Sequence, residues 1–183
     1  DIGLERAAFI HVSDIASSHE EGNEASDANS NADIALLLRE GQQLVVQVIK
    51  DPIGTKGARL TTQLSIASRY LVYIPSVSHI GISQRIEDEL ERERLKQLII
   101  GCQAQLSETF SPQKIATTSD NNLEEHENVT AGFIARTAAE GAGEEEFQAD
   151  VRFLARLWKK LQQRIKDNAS PSVIYQDLPL YEF

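Results

Sequence analysis

The sequence predicts an α+β fold, and three observations lead there. Runs of strand length rich in β-branched and aromatic residues crowd the first half: Ala7–Val12, Leu44–Ile49, Ala58–Leu64 and Tyr70–Ile74, most with turn residues at their ends. Two long helical patterns follow them, one from about Ile86 to Ile100 and one after Gly143. Between them stands one apolar strand, Gly132–Arg136, which ends abruptly in Arg136-Thr137. Strands gathered ahead of helices, rather than alternating strictly with them, point to α+β organisation.

Taken in order, Ala7–Val12 is followed by Ser13-Asp14, which are placed to turn it. Residues 16–33 then change composition sharply: Glu20, Glu21, Glu24, Asp27 and Asp33 appear among Ser, Asn and Ala, with no Lys or Arg. That pattern describes a solvated acidic loop. Asp33 is placed to cap a short helix, Ile34–Arg39, which Gly41 ends. The strand Leu44–Ile49 leads through Asp51-Pro52-Ile53-Gly54-Thr55-Lys56-Gly57 into Ala58–Leu64. In the returning strand Ala58, Leu60, Thr62 and Leu64 share one face. This is a hairpin with a basic, glycine-flanked tip. Lys56 there is either simply solvated or a phosphate contact, since the glycines let another backbone come close.

Tyr70–Ile74 is stopped by Pro75. The helix after Gln84-Arg85 alternates its charges, with Glu89/Arg92, Glu91/Arg94 and Glu93/Lys96 three apart. It reads as a solvent-facing helix laced with weak ion pairs. Ser107–Asn128 is again rich in Ser, Thr, Asn and acids, as a long loop would be. After the strand 132–136, Phe147, Val151, Leu154, Trp158, Leu161 and Ile165 recur at helical spacing and form a seam that packs on a sheet. Glu144–Glu146 at its start and Lys159, Lys160, Arg164 and Lys166 later suit the helix dipole.

Composition narrows the function. A net charge of −10 and a pI near 4.9 argue against a general polyanion binder but leave room for local recognition of a phosphate. The single cysteine, Cys102, at a helix end in this reading, makes no internal disulfide and no zinc cluster. Gly141-Ala142-Gly143 is too short for a dinucleotide fingerprint, no lysine follows a glycine loop as in a Walker motif, and no carboxylate cluster is placed to hold Mg²⁺. Neither a signal peptide nor an apolar run of membrane-spanning length is present, so a cytoplasmic location is expected. The start at Asp1-Ile2-Gly3 without Met, and Val173–Tyr175 reading as a strand that enters another element, suggest a piece of a longer protein. Arg136 and Thr137 remain the best candidates for chemistry. A buried strand that delivers a guanidinium and a hydroxyl at its end can cradle an anion; the alternative is a solvated strand edge.

Four ordered stretches carry a resemblance: Asp1–Phe9, Lys50–Thr62, Ser68–Val72 and Arg136–Gly141. Together they resemble the N-terminal part of the ribonuclease E/G family, the G type more than the E type, over nearly the whole chain apart from the two acidic loops. The resemblance implies part of an OB-fold RNA-binding barrel over residues 1–65, with the acidic loop 16–33 inside it. A 5′-sensor domain over 66–170, with the long loop 107–131, and the start of a further domain over 171–183 would follow. By the same resemblance Arg136 and Thr137 match ligands of an RNA 5′-monophosphate, and Val72 lines the place of the terminal base. Phe9 stacks on a base, with a core position as its alternative, and Lys56 contacts RNA. Gln84 departs from the arginine of the E type, which puts more of the charge on Arg136.

The implied activity is hydrolytic cleavage of single-stranded RNA in RNA processing and decay. It is Mg²⁺-dependent at two aspartates of a later domain, and a zinc link joins subunits of a homo-oligomer, also outside this chain. No cofactor is expected within the chain itself. A protein-interaction or assembly module with an unused RNA pocket is the rival reading, and a self-contained phosphoesterase is a third.

Overall fold

The computed structural model describes residues 1–15, 34–75, 77, 79–106 and 132–177. The acidic stretch 16–33 with its Asp33 cap, the loop 107–131 and residues 178–183 lie outside them. The elements are β1 (Phe9–Ile10), α1 (Ile34–Leu37), β2 (Gln47–Lys50), β3 (Arg59–Thr61), β4 (Ile66–Ala67), β5 (Leu71–Ile74), β6 (Ile80–Ile82), α2 (Glu89–Leu106), β7 (Gly132–Ala135) and α3 (Glu144–Asp167). They form a three-stranded sheet in the order β1-β3-β2 and a four-stranded sheet in the order β4-β5-β7-β6. Both are mixed: β1 runs parallel to β3, and β6 runs parallel to β7. The α+β expectation holds, and among the described residues no sheet closes into a barrel.

Several boundaries move, each for a local reason. The strand expected over 7–12 is only Phe9–Ile10, because the His11 ring accepts from the Ser13 N–H and starts a 3-10 turn, Val12–Asp14. The expected 44–49 starts later and ends one residue later, at Gln47–Lys50, and 58–64 contracts to Arg59–Thr61. Alternation along the second fails after Leu60: Thr61 is buried as well, its hydroxyl donating to the Asp14 carbonyl (2.8 Å). The helix expected from Ile86 starts at Glu89, since Asp88 caps it through the Leu90 N–H (3.0 Å). It then runs through Gly101 to Leu106, so Cys102 lies inside the helix, buried, and burial pushes its thiol up. Val173–Tyr175 is not a strand; the Ile174 carbonyl there accepts from Arg164 (3.0 Å) and its side chain packs on the core. The strands β4 and β6 carry no periodic pattern of their own and are visible only in the fold.

The core fills one face of the larger sheet. Leu71 and Tyr73 of β5 and Phe133 and Ala135 of β7 point to it, against Leu95 and Ile99 of α2 and Phe147, Val151, Leu154 and Trp158 of α3. The α3 seam predicted from spacing is buried through Leu161. Burying each of its large side chains contributes about 1.5–3 kcal/mol before entropy is counted. Tyr73 stands at the centre, its ring 5.3 Å from Phe133 and 5.7 Å from Trp158. The connection β6-α2-β7 is the crossover that lets two parallel strands lie side by side.

An acidic side chain also enters this interior. Asp150 of α3, 9% exposed, accepts the Tyr70 N–H (2.9 Å), the Leu71 N–H (3.0 Å) and the Ser68 hydroxyl (2.5 Å). It thereby fixes the entry to β5. Asp150→Ala leaves these donors without their acceptor and is expected to lower stability by on the order of 3 kcal/mol, read by urea denaturation.

Candidate nucleic-acid interface

The candidate residues fall into two groups. The first lies on the open face of the larger sheet, away from the helices. Strand register places Ala67, Val72, Ile134 and Gly81 side by side in one row across β4, β5, β7 and β6. None of the four is buried, whereas the neighbours Leu71, Tyr73, Phe133 and Ala135 face the core. This row is a shallow apolar floor. Arg136 continues β7 in an extended conformation (φ −82°, ψ 165°), so alternation sends its side chain to the open side. Its N–H bonds the Tyr70 carbonyl (2.8 Å), and its guanidinium donates to the Ser68 carbonyl. Thr137 follows, exposed, at the start of a 3-10 turn that ends at Ala139. Val72, opposite Ile134, is therefore the diagonal neighbour of Arg136 across the strand pair.

Two supports hold this strand end, and neither is apparent in the residue pattern. Asp150 orders Ser68 and Tyr70, whose carbonyls receive Arg136. On the other flank, Glu91 and Arg94 of α2 pair with each other (2.6 Å) and grip the loop after Thr137. Glu91 accepts the Gly141 N–H (2.9 Å), and Arg94 donates to the Ala142 carbonyl (3.0 Å). The solvent-facing reading of these two residues is thus corrected: they form a tertiary clasp. Glu89–Arg92 does pair at its helical spacing (3.9 Å), whereas Glu93 accepts from Gln97 (2.7 Å). Gln84 and Arg85, both exposed, turn the chain beyond β6, where the Ser83 N–H bonds the Ala135 carbonyl (2.9 Å). That turn lies beside Arg136 because β6 and β7 are parallel and end together.

The second group belongs to the smaller sheet. Phe9 is 47% exposed, so the core alternative for it falls. It pairs in register with Arg59, which is itself engaged with Asp14 through Nε (2.9 Å) and Nη2 (2.7 Å). Lys56 is exposed at the hairpin tip, where its backbone bridges to Ile53 around Gly54-Thr55 and Gly54 takes a positive φ of 57°. Gly57 is required for space: a Cβ there would stand 1.9 Å from the Ala7 carbonyl oxygen. The same close approach brings in Arg6, whose guanidinium donates to the Gly54 carbonyl and which residue patterns did not single out. Among the described residues, no group of three or more His, Cys, Asp or Glu is placed to hold a metal ion, and no helix is long and apolar enough to cross a membrane.

Comparison with known proteins now decides the family. Residues 65–182 match the ribonuclease E/G family profile. The chain belongs to the ribonuclease E/G family. It is 44% identical over 182 residues to Ribonuclease G of Escherichia coli (strain K12), covering 98% of this chain and 32% of that protein. Identity to Ribonuclease G of Haemophilus influenzae is 46% over 177 residues, covering 96% and 31%. Ribonuclease E of Nostoc is 31% identical over 173 residues, covering 94% and 21%. The chain therefore spans about a third of the length of these Ribonuclease G relatives.

The clasp has a pH signature. The Arg94 side chain and then the Gly141 N–H lower the Glu91 carboxyl from its ordinary 4.5 to about 2. A depressed folded-state value contributes stability above 4.5 that is lost as pH falls toward 2. Acid titration of stability should be shallower across that window in Glu91→Gln, measured by denaturant midpoints at each pH.

Proposed function

We propose that this chain is the RNA-binding and 5′-monophosphate-sensing portion of an endoribonuclease that cleaves single-stranded RNA during RNA processing and decay. The observation that carries the reading is the position of Arg136: a guanidinium held on the open face of a sheet, at the head of an apolar row, inside a chain of this family. Its bond to the Ser68 carbonyl uses one of five N–H donors, which leaves a fork free for a terminal phosphate. The Thr137 hydroxyl supplies a neutral donor beside it. Val72 and Ile134 form the floor on which the terminal base rests. A monophosphate satisfies these donors where a 5′-hydroxyl leaves them unmade, and a triphosphate fits less well.

The larger sheet with its helices is then the 5′ sensor, and the smaller sheet is part of the OB-fold RNA-binding domain. Phe9 offers a face for base stacking, and Lys56 at its glycine-flanked tip reaches the backbone. In this reading the cutting chemistry, with its Mg²⁺, and the zinc link of a homo-oligomer belong to other parts of the parent protein. The chain alone then binds and positions RNA in the cytoplasm without cutting it.

The test is fluorescence anisotropy with one short single-stranded RNA, as the 5′-monophosphate and as the 5′-hydroxyl. The wild-type chain should prefer the phosphate by about tenfold or more, the equivalent of one or two charged hydrogen bonds. Arg136→Ala should abolish that preference. Equal binding of both RNAs by a folded wild-type chain would sink the assignment and favour a protein-interaction module. Phe9→Ala should weaken both RNAs alike, by about 1–3 kcal/mol for a lost stacking contact, and leave the phosphate preference intact.

A further inference from the structure

The second half of α3 carries a charge pattern that neither the core nor the site at Arg136 uses. From Val151 to Lys166 the helix holds Arg152, Arg156, Lys159, Lys160, Arg164 and Lys166 and no acid, in a chain of net charge −10. The helix dipole accounts for Arg164 and Lys166 in the last turn. Arg152 and Arg156 lie mid-helix, beyond its reach. Arg152, Arg156, Lys159 and Lys160 are all exposed, and 3.6 residues per turn place them opposite the buried seam.

Helical pairing does not account for them either. Three and four residues to either side of Arg156 stand Phe153, Arg152, Lys159 and Lys160. Like charges at these spacings oppose helix formation, and a polyanion laid along the face would turn that repulsion into attraction. The acids of α3 are elsewhere: Glu144–Glu146 in its first turn, Asp150 inside, and Asp167 accepting from Gln163. Steps of about 6 Å separate Arg152, Arg156 and Lys160 along the axis. Phe153, 46% exposed, flanks the row and offers a stacking surface.

We propose that the Arg152–Arg156–Lys160 face of α3 is a second RNA-binding surface, taking the phosphate backbone of a long RNA away from its 5′ end. The proposal rests on the reading of this chain as RNA-binding. α3 packs on the core side of the larger sheet while Arg136 stands on the open side, so the two places engage different parts of one RNA. A short oligonucleotide held at Arg136 does not reach α3.

The test titrates the chain and a triple variant, Arg152→Gln, Arg156→Gln and Lys160→Gln, with a long 5′-hydroxyl RNA over a range of salt. Glutamine keeps helix propensity, and circular dichroism checks the fold. Loss of three phosphate contacts should cut affinity about tenfold and reduce the log–log salt slope by about 2. The preference for a short 5′-monophosphorylated oligonucleotide over its hydroxyl form should stay unchanged. An unchanged salt slope in the triple variant would overturn the proposal, and an accompanying change of oligomeric state would assign the face to a protein partner. A reduced slope in a chain that shows no end preference would support the α3 surface while removing the end-sensing role.

Discussion

The fold and the candidate site meet at one carboxylate. Asp150 enters the interior from α3 and accepts two backbone N–H groups and a hydroxyl at the entry to β5. A carboxylate in such a place is tolerable only when it is hydrogen-bonded; here a single oxygen, Oδ2, takes all three donors, and the backbone donors need it as much as it needs them. Because Ser68 and Tyr70 are ordered in this way, their carbonyls stand ready for the guanidinium and the N–H of Arg136. Helix packing, strand entry and the direction of a surface arginine are thus one connected set of bonds.

The other flank of the same strand end is held by charge rather than by burial. Glu91 and Arg94 close on the loop carrying Gly141 and Ala142, so the turn after Thr137 is gripped from α2. Farther along, Glu146 reaches back to the Gly143 N–H (2.8 Å) and accepts from the Tyr70 hydroxyl (2.8 Å), and both bonds lower its carboxyl. Arg136 therefore projects from a segment braced on both sides. In the proposed function, recognition of an anion would gain from that bracing, because less freedom is lost when a ligand arrives.

A strongly acidic chain can still handle a polyanion when its cations are grouped. Among the described residues three such groups stand out: Arg136 with Arg85 at the ends of β7 and β6, Arg6 with Lys56 at the hairpin tip, and the outer face of α3. Arg59, Arg92 and Arg94 are taken up by Asp14, Glu89 and Glu91. Net charge governs long-range repulsion, while in the proposed reading these local groups decide where a phosphate would rest.

The sequence by itself determined the α+β class, the α3 seam, the hairpin with Lys56 at its tip, and the strand that ends in Arg136-Thr137. Those features rest on periodicity over many residues or on glycine and proline, whose effects are local. It also carried the family, through four ordered motifs. Only the tertiary structure decided the short strands β4 and β6, where two or three residues are too few to show a period and pairing alone makes them strands; for β1 it decided the length. It decided that Phe9 is exposed, that Cys102 is buried within α2, and that Glu91–Arg94 is a clasp rather than a surface pair. It also placed Val72 next to Arg136, because strand register sets which side chains become neighbours, and register depends on partners distant in the chain.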